Sequence, residues 1–136
     1  MNQKEFTDTV VQRFLILFPQ LKHYTLELFK DVSYLELSSS GGKLKILICT
    51  RDNMLTYGFA AGIGVFDWHD HFTSHEFLDQ DVENIAGWIT IIINNEVGIL
   101  YSSVLGYRPV YEVDFEEIEK YREKDEIIEL KYWSDL

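Results

Sequence analysis

Apolar positions along this chain fall into helical and strand periods that alternate cleanly. Phe6, Val10, Val11, Phe14 and Phe18 recur every three or four residues, the spacing of a helix with one buried face. Asn2 followed by Glu5 has capping-box spacing, and Pro19 disfavours helical backbone at Phe18, so this helix should end there. From Val32 the period drops to two. Tyr34–Ser38 and Lys43–Arg51 read as a hairpin turning through Ser39-Ser40-Gly41-Gly42, with Leu44, Ile46 and Ile48 on one face and Lys43 and Lys45 on the other. Asp52-Asn53 suits a second turn, since both tolerate left-handed backbone. Met54–Phe59 and Ile63–Trp68 supply two more strands, parted by Ala60-Ala61-Gly62.

A second helix follows, with Val82, Ile85, Ile89, Ile92 and Ile93 as its apolar stripe. Asp79 or Asp81 can cap its start and Asn94-Asn95 its end. Val97–Val104 and Val110–Val113 return to strand periodicity, with Gly106 in the connection. Asp114 with Glu117 opens a short helix expected to reach Glu123, and Ile127–Trp133 closes as a strand or extended edge. The order of elements predicts a single α+β domain over residues 1–136. Its antiparallel sheet carries the two main helices, one layer on another.

Composition fits that domain. The chain has 136 residues, 46% hydrophobic and 15% aromatic, enough to build a core that offsets chain entropy. No apolar run approaches the ~20 residues that span a bilayer, and no basic segment leading into an apolar one opens the chain. Cys49 is the single cysteine and has no internal disulfide partner, so a reducing cytoplasm is the expected compartment.

Charge changes the picture more. The net charge is −11, and it is concentrated. Residues 67–83 hold six acids (Asp67, Asp70, Glu76, Asp79, Asp81, Glu83) and no Lys or Arg; residues 112–129 hold nine acids against Lys120, Arg122 and Lys124. Such a field repels nucleic acid and anionic membrane and steers a basic protein inward. Acidity for solubility alone is the plain alternative, and the clustering argues against it.

One segment invites chemistry: Phe66-Asp67-Trp68-His69-Asp70-His71-Phe72-Thr73-Ser74-His75-Glu76. As a continued strand it places Asp67, His69 and His71 on one face and Trp68, Asp70 and Phe72 on the other. His69 and His71 could hold a metal, completed by His75 or Glu76, or act as general acid and base. The plainer reading is a strand running into a loop, its aromatics packed inward and its polar groups solvated; partner binding stands between the two. Elsewhere, Cys49 reads as a small core residue, and Gly58, Gly62 and Gly64 lack the Lys-Ser/Thr and capped helix of a phosphate loop. Tyr107, Tyr111, Tyr121, Tyr132, Trp133 and Trp68 lie in or beside the acidic stretches, where rings can fill pockets while carboxylates pair with Lys and Arg, or can simply close the core.

The run Gly62-Ile63-Gly64-Val65-Phe66-Asp67-Trp68-His69-Asp70-His71-Phe72 resembles a segment of small bacterial immunity-type proteins of polymorphic toxin systems. Asp79–Asn95, Val97–Val113 and Ile127–Trp133 match the acidic helix, Tyr-rich hairpin and terminal Trp-containing strand that accompany it there, while Gly64-Val65 ahead of Phe66 departs from the pattern. The resemblance implies a cytoplasmic antidote that binds a cognate toxin domain. The favoured expectation is a non-enzymatic protein, without cofactor, that neutralises a basic partner through Trp68, Asp70, Glu76, Asp79, Tyr111, Glu116 and Glu119. The alternatives are a metal-dependent or histidine-based enzyme using Asp67, His69 and His71, and an acidic structural subunit or homodimer.

Overall fold

The polar residue ahead of the first helix sets its start. Asn2 Oδ1 accepts a hydrogen bond from Glu5 N at 2.8 Å, meeting an amide that the first turn leaves without a helical partner. Helix α1 then runs over Gln3–Leu17 and is capped by Phe18 just before Pro19, as the spacing predicts. The computed structural model describes residues 1–62, 65–72 and 76–136. Five strands follow α1: β1 (Lys22–Leu26), β2 (Phe29–Ser38), β3 (Lys45–Cys49), β4 (Leu55–Gly62) and β5 (Val65–Phe72). They form one antiparallel sheet in chain order. Helix α2 (Leu78–Ile93) comes next, then β6 (Ile99–Ser102), β7 (Gly106–Pro109), helix α3 (Phe115–Tyr121) and β8 (Ile128–Lys131). The last three strands make a second antiparallel sheet in the order β7-β6-β8.

The fold is α+β, with α1 and α2 on one face of the larger sheet. Phe6, Val10 and Phe14 of α1 meet Leu35, Ile46, Ile48 and Phe59 of the sheet and Val82, Ile85, Ile89 and Ile92 of α2 in one buried cluster. Each such side chain contributes about 1.5–3 kcal/mol by leaving water. On the opposite face Val32, Tyr34, Leu47, Cys49 and Ala60 form a smaller cluster, with Tyr24, Phe29 and Phe66 packed against it. Cys49 is therefore a core residue, and burial pushes its thiol above its ordinary pKa, away from the nucleophilic thiolate.

The turns behave as read: Gly42, Asp52 and Asn53 all adopt positive φ, and Asn95 does so just beyond α2. Four expectations need correction. β1 is a strand that the pattern hides, because Lys22, His23 and Thr25 at this sheet edge are exposed and polar. The late strands do not extend the main sheet. The strand expected at Val110–Val113 sits earlier, at β7, and Val110–Glu112 is a short 3-10 turn; Pro109 closes the strand. Neither Asp79 nor Asp81 caps α2; Phe77 stands at the cap position and both acids lie in the first turn, where carboxylates favour the helix's positive end. Gly58 and Gly62 lie within β4, and Ile63 and Gly64 are outside the described residues. Among the described residues no helix is long and apolar enough to cross a membrane.

Candidate functional site

Strand β5 carries the segment singled out for chemistry, and a bulge decides where its side chains go. Trp68 pairs with Phe59, His69 with Gly58, Asp70 with Tyr57 and His71 with Thr56, but Ala60 pairs with Phe66, so Asp67 is the extra residue. Gly58 is needed here, because a Cβ at that position would collide with the backbone carbonyl of Trp68. The bulge breaks the expected face of Asp67, His69 and His71. Asp67 turns to the second sheet, where its Oδ2 accepts from Tyr107 N at 3.0 Å. Gly106, with φ +79, sits against that carboxylate, and a Cβ there would collide with it. Asp67 thus ties the two sheets at the point where β5 and β7 meet.

His69 and His71 do share the outer face, with ring centroids 6.3 Å apart, and His69 lies 5.4 Å from the Phe66 ring. Without Asp67 the pair has lost its expected carboxylate, and His75 lies outside the described residues. Among the described residues no three His, Cys, Asp or Glu side chains gather as a metal site would require.

The helix-facing side of β5 is richer. Trp68 lies 6.2 Å from Tyr57 and from Phe59 and 5.8 Å from Trp88 of α2, centroid to centroid, and Tyr57 stacks on Phe72 at 6.0 Å. Tyr57 and Trp88 are 5.2 Å apart, edge to face. Burial pushes the Tyr57 hydroxyl up to about 12, and the negative charges of Asp70 and Glu112 add to the rise. Tyr111 is raised by burial as well, again with Glu112 and Asp70 contributing. Trp88 opposes that shift, so its indole N–H lies near the Tyr111 hydroxyl; the geometry falls short of a hydrogen bond, and the Trp88 Nε1 is buried without a partner. Asp70 from the first acidic stretch and Glu112 from the second therefore act on the same two tyrosines.

Of the seven residues predicted to meet a partner, Trp68, Asp70 and Tyr111 come together in this patch. Asp70 and Tyr111 are exposed, while Trp68 is half-buried and partly belongs to the core. Glu76 and Asp79 lie elsewhere, beside the start of α2, and Asp79 is paired with Arg13 of α1. Glu116 and Glu119 stand exposed on α3, whose start is fixed by Asp114 accepting from Glu116 N at 3.0 Å and Glu117 N at 3.3 Å. Among the other rings, Tyr121 is exposed, but Trp133 is a core residue. Sequence reasoning missed Tyr57, Trp88 and Glu112. Trp88 falls three residues after Ile85 and four before Ile92, so the helical stripe could have included it.

Comparison with protein-family models, with curated proteins and with solved structures gives no match to this chain.

Proposed function

We propose that this protein binds and neutralises a basic protein partner, in the manner of an immunity protein acting on its cognate toxin domain. The observation that carries the reading is the meeting of Asp70 and Glu112, one from each acidic stretch, beside the half-exposed ring of Tyr111 and the edge of Trp68. Carboxylates there speed encounter with a cationic surface, and aromatic rings slow its departure. A toxin domain that cleaves nucleic acid fits the role, because its active surface must be cationic to hold phosphate.

The test is co-expression with toxin domains encoded beside its gene. Rescue of growth is expected, and Asp70→Lys combined with Glu112→Lys should abolish rescue and binding while thermal unfolding stays as in the parent. Rescue that persists in this double variant would overturn the electrostatic mechanism; failure to neutralise any of the neighbouring toxins would overturn the function.

A further inference from the structure

A cavity of about 260 Å³ opens between the second sheet and α3, with Leu100, Leu105, Ile118 and Ile128 on its apolar wall. The volume lies below the roughly 300–1,000 Å³ of small-molecule pockets, so it suits one side chain better than a whole cofactor. Arg108 also lines it, and its Nε is buried with no hydrogen-bond partner. That is unexpected in so acidic a chain. Glu112, Glu117 and Glu126 line the same cavity, yet Arg108 forms no ion pair with them among the described residues.

Glu126 is held on other partners: Ser102 Oγ donates to its Oε1 at 3.3 Å, and Arg122 Nη2 donates to its backbone carbonyl at 2.7 Å. Glu112 and Glu117 are exposed, and among the described residues their carboxylates make no hydrogen bond. The cavity thus combines an unmet donor inside, an apolar wall, and unmet acceptors at its mouth. Its acids outnumber its two arginines, so an anionic ligand is disfavoured. A peptide segment meets all three demands if its apolar residue is flanked by Lys or Arg. Glu112 also borders the aromatic patch, so the cavity continues the surface assigned above.

We infer that this cavity receives one apolar side chain of the basic partner, with the partner's backbone carbonyl on Arg108 Nε and its flanking cations on Glu112 and Glu117. The inference rests on the proposed function and deepens it.

The probe is the capped peptide acetyl-Lys-Leu-Lys-amide, titrated into the isotope-labelled full chain and followed by NMR. Saturable movement of the Arg108 Nε–H signal and of the Leu105, Ile118 and Ile128 amides is expected. Arg108→Met should weaken binding about tenfold, the scale of a hydrogen bond to a charged group. Glu117→Gln, at an exposed position that cannot unsettle the fold, should weaken it by a smaller factor. Shifts that spread over the acidic surface without saturating, or equal binding of acetyl-Glu-Leu-Glu-amide, would overturn the assignment. If the peptide docks but no toxin domain is neutralised, the cavity stands and the broader function fails. If a toxin is neutralised equally by the parent, Arg108→Met and Glu117→Gln, the function stands and the cavity assignment fails.

Discussion

The two acidic stretches look alike in the sequence and stand differently in the fold. In residues 67–83, Asp67 holds the Tyr107 amide, Asp79 pairs with Arg13 and Asp81 is buried. In residues 112–129, Asp114 caps α3, but Glu112, Glu116, Glu117, Glu119 and Glu123 are exposed with no hydrogen bond or ion pair from their carboxylates among the described residues. The difference follows from what each stretch is attached to. The first runs along β5 and the start of α2, elements with one face in the main core, so several of its acids are drawn into holding those elements in place. The second runs along a short helix with no fully buried residue. A run of like charge is available to a partner only where the fold has not already engaged its carboxylates.

The largest effect that would test this contrast lies in α2, which carries the first stretch. Ile89 is fully buried against α1 and the sheet, and Ile89→Asp places a charge there without a partner. The expected cost is several kcal/mol, a large part of the ~5–15 kcal/mol that holds a typical domain together. Loss of a cooperative urea transition checks it; a variant that melts like the parent would mean α2 is not seated on the core. Asp67→Ala comes next. It leaves the Tyr107 amide without its acceptor and should cost about 1–3 kcal/mol by urea unfolding. If it costs nothing, the first stretch is as free as the second and the contrast collapses.

Much of this was legible in the sequence, and the gaps have physical causes. The α2 stripe of Val82, Ile85, Ile89 and Ile92 is buried as its spacing predicts, and Asn2 and Asp114 cap their helices. Periodicity reports a buried face, so it found these elements and passed over β1, whose residues are mostly exposed. It could not foresee the bulge at Asp67, because the alternation of Phe66 through Phe72 reads unbroken; the extra residue shows only in the pairing with β4. Nor could it bring Asp70, Tyr57 and Glu112 together. That proximity depends on the second sheet docking at β5, a long-range contact with no local signature. Asp79 was misjudged for the same reason, since Arg13 lies in another helix.

Asp81 gives a smaller effect, of opposite sign. Burial raises its carboxyl above the ordinary value of 3.8. The folded state therefore binds the proton more tightly than the unfolded chain does. Across the range between those two pKa values the native state carries more protons, so stability from this group falls as pH rises through it and is fully lost above it. At neutral pH the charged carboxylate is a burden on the fold, and Asp81→Asn is expected to stabilise it modestly. Urea midpoints of the two proteins measured from mildly acidic to neutral pH check this: the variant should gain on the parent as pH rises. A parent that gains on the variant instead would mean that the helix's positive end outweighs burial.

The smallest expected change in stability belongs to the second stretch, and there the absence of a change is informative. Glu116→Ala with Glu119→Ala removes two exposed carboxylates of α3 that make no bond among the described residues. Substitutions of this kind stay within about 0.5 kcal/mol of the parent, and relieving like-charge repulsion on one short helix offsets part of any loss. The same pair should matter more to encounter than to folding, since rim charges act mainly on the rate of association and its salt dependence. Binding of the double variant to a neutralised toxin domain should show a slower on-rate at low salt, converging with the parent as salt screens both, with the off-rate unchanged. A loss of stability equal to that of Asp67→Ala would place these acids in the fold. An unchanged on-rate at low salt would leave Asp70 and Glu112, beside the Tyr111 ring, as the charges a basic partner meets first.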